Sequence, residues 1–266
     1  MIMTKRIIPA SQEKRITMVA KAGGDYTTIT AALAYAATKA PKAGEQWVIY
    51  VYPGRYTESV TCQDYVHITG VGAPGAVIID GLVVGAKCRL ENLSFDRTTG
   101  SGALITYAGS SATYPFELVE CRAASAEDSR TILSLSNSGL VELTRCQFKG
   151  EYRVIEQAAG SIVAVDCVLE EDADNGTAYP VYVSGGDKFE YRNCLLIGGG
   201  TQGICVYMVA SVATARFLHC TFRKGSAGTV TLDSDAARTV AIAGCLATHA
   251  ASGDFSPTDL VVDAGV

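Results

Sequence analysis

Charge is scarce in this chain, and basic residues are scarcer than acidic ones. Only 18% of the 266 residues are charged, and 22 Lys and Arg stand against 27 Asp and Glu, for a net charge of −5. The bases gather into no stripe, which argues against a nucleic-acid surface. No apolar run approaches the roughly 20 residues of a membrane-spanning helix, so no membrane partner is expected. The opening MIMTKRIIPASQEKR carries charge where a signal peptide needs an apolar core. A chain made in the cytoplasm and not exported by that route is expected. The histidines His67, His219 and His249 are scattered, with no serine–histidine–carboxylate pattern. The nine cysteines are odd in number and lack the short paired spacings of a zinc site. Neither a metal nor a cofactor is expected.

What the chain has is a repeat. The segments VHITGVGA, CRLENLSF, FELVECRA, VELTRCQF, IVAVDCVL, FEYRNCLL, ARFLHCTF and VAIAGCLA align in one column. That column reads Val71, Leu93, Cys121, Cys146, Cys167, Cys194, Cys220 and Cys245, in steps of 22, 28, 25, 21, 27, 26 and 25 residues. A unit this short cannot bury its own apolar face and must stack on its neighbours, which makes a solenoid.

Five residues before the column, positions such as Phe116, Val141, Ile162 and Phe189 are apolar, as are Leu118, Leu143 and Phe217 three before it. Between them stand Glu117, Glu142, Glu190 and Arg216. That period of two is a strand with one buried face. Two residues then separate the last inward position from the cysteine, so the chain must bend there. The residue at the bend is Gly70, Asn92, Glu120, Arg145, Asp166, Asn193, His219 or Gly244. Six of these tolerate a left-handed backbone well; Glu120 and Arg145 fit less well. A second strand precedes each later bend: ALITYAG, TILSLSN, YRVIEQA, PVYVSGG, GICVYMV and GTVTLDS.

The expected fold is therefore all-β: a single-stranded right-handed parallel β-helix of about eight coils, with a capping α-helix near its N-terminus. Residues 1–17 form an arm, residues 18–247 the coil with a helix lid at 25–39, and residues 248–266 a tail or cap. Ile29, Ala32, Leu33 and Ala36 fall on one stripe of that helix. In the tail, DLVV is a candidate last strand. The column Cys121, Cys146, Cys167, Cys194, Cys220 and Cys245 is expected to be a structural core of small buried thiols rather than disulfides.

Candidate site residues are few. The bend residues Arg145, Asp166, Asn193 and His219 stack into a mixed column suited to a sugar or an anion. Glu170, Glu171, Asp172 and Asp174 cluster in EEDADNG, which lacks the spacing of a calcium loop and reads as a solvated turn. Paired carboxylates are what glycoside cleavage needs, and Asp166, Arg192 and Glu170 are the set an enzyme would use here. Tyr107, Tyr114, Tyr152, Tyr179, Tyr182 and Tyr207 recur near the first strand of successive coils, where outward rings suit sugar stacking.

The stretch Val19 to Val60 resembles the opening of the pectin methylesterase family, within the pectin-lyase-like right-handed β-helix superfamily. The matching residues are Gly24, Asp25, Tyr26, Thr27, Thr28 and Ile29, then Pro53, Gly54, Arg55, Tyr56 and Glu58. The family's Gln-Asp-Thr, Asp-Phe-Ile-Phe-Gly and Leu-Gly-Arg-Pro-Trp segments are absent, so no catalytic residue carries over and the balance leans away from an enzyme. A β-helix with an extra N-terminal arm and a thinly closed far end also resembles bacteriophage virion proteins such as tail spikes, fibres and capsid decorations. That resemblance implies a non-catalytic structural or adhesive module on the virion surface. Its partners would be two further copies in a homotrimer, other virion proteins and a surface polysaccharide. The competing expectation is a polysaccharide lyase or pectinesterase-like hydrolase with displaced catalytic groups.

Overall fold

The structure is a computed structural model that describes residues 15–97, 102–111, 113–126, 130–172, 178–199, 204–208, 214–224, 230–234, 240–247, 251–253 and 260–262. Three parallel sheets of ten, ten and nine strands wrap one apolar interior as a right-handed parallel β-helix. The first sheet runs from Ile16–Val19 to Val240–Ala243, the second from Gly54–Tyr56 to Leu260–Val262, and the third from Val60–Thr61 to Ala251–Gly253. Each coil visits the third, first and second sheets in turn. The eight repeats supply eight successive strands of the first sheet; Ile16–Val19 and Trp47–Val51 stack before them and raise the total to ten.

The register makes equivalent residues stack. Phe116 pairs with Val141, Val141 with Ile162, Ile162 with Phe189 and Phe189 with Ala215, all buried. In the second sheet, Phe95, Ala123, Phe148, Leu169, Leu196 and Phe222 form the matching inner column. Burying an aromatic side chain of this kind is worth about 1.5–3 kcal/mol relative to leaving it in water, and each coil repeats the gain.

Seven of the eight bends are single residues with a left-handed backbone: Asn92, Glu120, Arg145, Asp166, Asn193, His219 and Gly244, at φ between 51° and 61°. Glu120 and Arg145 adopt this form despite their long side chains, at φ 54° and 52°. The backbone explains it. From Asn92 to His219, each bend amide donates to the residue before the next coil's bend, as in Glu120 N–H to Thr144 O (2.8 Å) and Asp166 N–H to Arg192 O (3.0 Å). Neighbouring coils thus impose the geometry on whatever residue stands there. The exception is Gly70, which ends its strand and leads into a wider turn. A Cβ there would lie 2.1 Å from the Asn92 carbonyl oxygen, so only glycine lets the next coil close. Asn92 in turn donates its side-chain amide to the carbonyls of Gly70 and Gly72, each at 2.9 Å.

All nine cysteines are buried and free. Those of the column are more than apolar filler. Cys146 Sγ lies 3.3 Å from Leu118 O on the preceding coil and 3.6 Å from Thr144 O on its own. Cys121, Cys194, Cys220 and Cys245 repeat that pairing, while Cys167 keeps its own-coil contact to Val165 O at 3.3 Å. A small side chain with a weak donor suits a bend that leaves carbonyls turned inward. Hydrogen bonding to the preceding thiol, with burial behind it, pushes Cys167, Cys194 and Cys220 up to about 12, so these thiols are unreactive.

The helix α1 spans Ile29–Thr38, shorter at its start than the 25–39 expected. Thr28 is the N-cap, its hydroxyl accepting from Ala31 N–H. Asp25 serves the coil instead, accepting from Met18 N–H at 2.8 Å. Glu58 closes the helix start from 29 residues away, accepting from Ile29 and Thr30 N–H at 2.8 Å each. A carboxylate on exposed amide donors at a helix N-terminus is the arrangement the helix dipole favours. Ile29, Ala32, Leu33 and Ala36 are the buried stripe.

Residues 1–14 of the expected arm lie outside the described residues, but Ile16 and Thr17 belong to the first coil. Thr17 accepts the indole N–H of Trp47 at 2.8 Å, satisfying the one buried tryptophan donor. At the other end, Ala251–Gly253 extends the third sheet and Leu260–Val262 the second.

Candidate functional site

A concavity of about 650 Å³ lies on the outer face of the second sheet. A size step in the side chains accompanies it. Ala123 stands between Phe95 and Phe148 in the inner column, and Ala124 lies beside Lys149 in the next outer column. Both alanines, with Phe95 and Phe148, form part of the lining.

Polar groups stand along this dent. One outer column reads Ser94, Arg122, Gln147 on consecutive coils, and a second carries Lys149 and Glu170. Asp96 borders one end and is tied to Arg55, whose guanidinium donates to Asp96 Oδ2 at 2.9 Å and to Asp80 Oδ2 at 3.0 Å. Asp96 and Asp80 in turn raise the pKa of Arg55, Asp96 having the larger effect. At the other end Lys149 meets Glu170 at 2.9 Å and Asp172 at 2.8 Å. Arg122 is exposed between these clusters and forms no ion pair among the described residues.

The residues singled out from sequence occupy three places. Arg145, Asp166, Asn193 and His219 do form one row, at consecutive bends between the first and second sheets. Arg145 is committed to Glu120 at 2.8 Å, and the pair is about half exposed, worth well under ~1 kcal/mol. His219 lies over Gly244, where a Cβ would meet its Nδ1 at 2.5 Å. The enzyme set is not brought together by its side chains. Arg192 turns to Glu190 on the outer face of the first sheet, Glu170 lies in the second-sheet groove, and Asp166 sits exposed at the bend between those sheets. Glu190 is 1% exposed because Lys188 and Arg192 close over it. Lys188 first and Arg192 after it hold that carboxylate below the usual range, against the opposing effect of burial. Glu171 is buried and accepts Gly199 N–H at 2.8 Å, while Asp174 lies outside the described residues.

The tyrosines divide as well. Tyr107 points inward and is buried, whereas Tyr114 packs edge-on against Tyr65 at 5.2 Å. Tyr179, Tyr182 and Tyr207 pile against one another on the third sheet at 4.8 to 6.0 Å. The Arg153 guanidinium covers Tyr182 at 3.6 Å and also lies 4.8 Å from Tyr152. Their ring faces are spent on one another and on Arg153, so this row acts first as cross-coil packing.

Sequence reasoning passed over Arg122, Asp96 and the alanine step. The available signal was the inner column itself, where Ala123 interrupts a run of Phe and Leu.

The fold and this groove define a right-handed parallel β-helix with a polar furrow across several coils. No protein-family model matches the chain, and no curated protein sequence matches it. Among solved structures it resembles the tailspike protein gp49 of the Acinetobacter baumannii bacteriophage Fri1, a capsular polysaccharide depolymerase, with a TM-score of 0.67 and 14% identity. That match covers 94% of this chain and 53% of the tailspike, so the chain spans about half the tailspike's length. The mannuronan C-5 epimerase AlgE6 A-module of Azotobacter vinelandii aligns at a TM-score of 0.38 and 11% identity, over 90% of this chain and 93% of that one. The tailspike likeness establishes the fold. The pectin methylesterase likeness finds no support in these matches; in the structure, Thr28 and Glu58 of its motif cap α1.

Proposed function

We propose that the chain is the β-helical body of a phage virion protein that holds a surface polysaccharide in the second-sheet groove without cleaving it. The groove carries this reading: it crosses several coils, mixes apolar floor with polar rim, and suits an elongated ligand better than a small enclosed one. The likeness of fold to a phage tailspike supports the virion setting. Further copies in a trimer and other virion proteins are the partners this setting implies.

The absence of cleavage rests on carboxylate placement. Asp96 and Glu170 stand three coil steps apart, roughly 14 Å at a strand spacing near 4.8 Å. Hydrolysis needs a pair about 5 to 9.5 Å apart. One observation favours a second, enzymatic reading: Asp80 and Asp96 occupy neighbouring coils and share Arg55 at the groove's edge. Both carboxylates, however, are already held by that cation, as the close pair Glu170 and Asp172 at the other end is held by Lys149.

Incubation with bacterial surface polysaccharides, followed by retention and reducing-end assays, separates the two. Retention without new reducing ends supports adhesion. New ends that disappear in Asp96→Asn would establish the enzyme instead.

A further inference from the structure

We infer that the groove selects an acidic polysaccharide, with Arg122 receiving the carboxylate of one sugar unit. This rests on the glycan-binding reading above and narrows it.

Three observations converge on Arg122. It stands on the coil that carries the Ala123–Ala124 step and lines the concavity there. Its charge is uncommitted among the described residues, unlike Arg55, Arg145, Lys149 and Arg192, each of which meets a carboxylate. Its column neighbours are Ser94 and Gln147, a hydroxyl on one coil and an amide on the next.

The chemistry follows from that order. A guanidinium presents parallel N–H donors that fit a carboxylate bidentately. A hydroxyl and an amide about 4.8 Å to either side suit the ring hydroxyls of the same or the adjoining sugar. Beside them, the partly exposed side chains of Ile78, Ala124 and Val168 offer apolar surface to the less polar face of the ring. The ion-paired clusters at the two ends border the furrow: Arg55 with Asp80 and Asp96, and Lys149 with Glu170 and Asp172. A neutral glycan would leave the Arg122 charge unanswered.

The test uses polygalacturonate, alginate, hyaluronan and polysialic acid, each beside its carboxyl-reduced product, with dextran and galactan as neutral polymers. The full chain is assayed for retention by each. At least one acidic polymer is expected to bind and to weaken about ten-fold or more on carboxyl reduction, the loss expected for a charge-assisted hydrogen bond. Arg122→Gln should show the same loss on the native polymer and no further loss on the reduced one. Arg145→Gln, at a bend outside the groove lining, should bind as the parent does. Unchanged thermal unfolding of Arg122→Gln shows that the exposed substitution leaves the fold intact. Equal binding of native and reduced polymers, or native binding indifferent to Arg122→Gln, overturns the acidic assignment and leaves glycan binding standing. Retention of none of the polymers overturns both.

Discussion

The outer face of the second sheet changes character halfway along the coil, while the interior beneath it does not. Over the earlier coils the outer columns carry Ser94, Asp96, Arg122, Gln147, Lys149 and Glu170. Over the later coils they carry Leu195, Ile197 and Leu246, all half-buried, with Thr221 and Arg223 among them. Inside both stretches the chain stacks the same kinds of residue: Phe95 and Phe148 under the first, Leu196 and Phe222 under the second. Stacking dictates the inner columns, because each coil depends on its neighbours for burial. The outer columns answer to no such demand, so a recognition surface can occupy a few coils without disturbing the rest.

The comparison breaks first, if it breaks, in the interior. Phe148→Ala and Phe222→Ala should each cost about 3–5 kcal/mol, seen as similar shifts in urea midpoint. A large cost at one position and little at the other would mean that the two halves are not one cooperative stack. On the outside the halves should part company. Ala124→Trp is expected to fill the dent and abolish polysaccharide retention, while Ile197→Trp leaves it intact; the change at exposed Ala124 should move stability by less than about 0.5 kcal/mol, as surface changes generally do. Equal loss from both would place the ligand along the whole face.

The bends offer a finer contrast. Asn193→Glu should destabilise by about 1 kcal/mol, since a long side chain is poorly suited to the left-handed backbone that asparagine accepts. Glu120→Asn should gain less than that amount, because it also gives up the pair with Arg145. Thermal unfolding of the two variants side by side reads the difference.

The smallest effect concerns the first sheet, where Glu142 stacks on Glu117. Burial, and then the charge of Glu117, raise the Glu142 pKa above its ordinary value. A carboxyl with a raised folded pKa binds its proton more tightly in the native state. Its ionised form therefore weakens the fold at neutral pH, and the penalty lifts as pH falls through the raised value. Glu142→Gln should accordingly unfold at a slightly higher temperature near neutral pH, with the advantage vanishing on acidification. Glu190→Gln should behave oppositely. The depressed pKa of Glu190 stabilises above its unfolded value and loses that contribution as pH falls.

Much of the coil was readable because its constraints repeat. The cysteine column, the inner apolar columns and the third-sheet strands recur at each turn, and the bend tolerates even Glu120 and Arg145 because neighbouring amides hold it. What escaped was set by singular contacts. Asp25 looked like the start of the helix, yet it accepts from Met18, and the helix opens on Thr28 with help from distant Glu58. Tyr107 looked available for a ligand, yet its ring is inside. Arg122 follows a column cysteine like any outward residue, and its position in the repeat does not mark it as lining a hollow beside Ala123 and Ala124.

The single-residue bends have one more consequence. Because the hinge between two walls is one residue long from Asn92 to Gly244, the corner keeps one angle down that length and acts as a graduated edge. Side chains along it are marked off at a constant rise of about 4.8 Å. A polymer laid parallel to that edge would be measured by its own repeat, so that changing the period of the chain, with every functional group retained, would put it out of step.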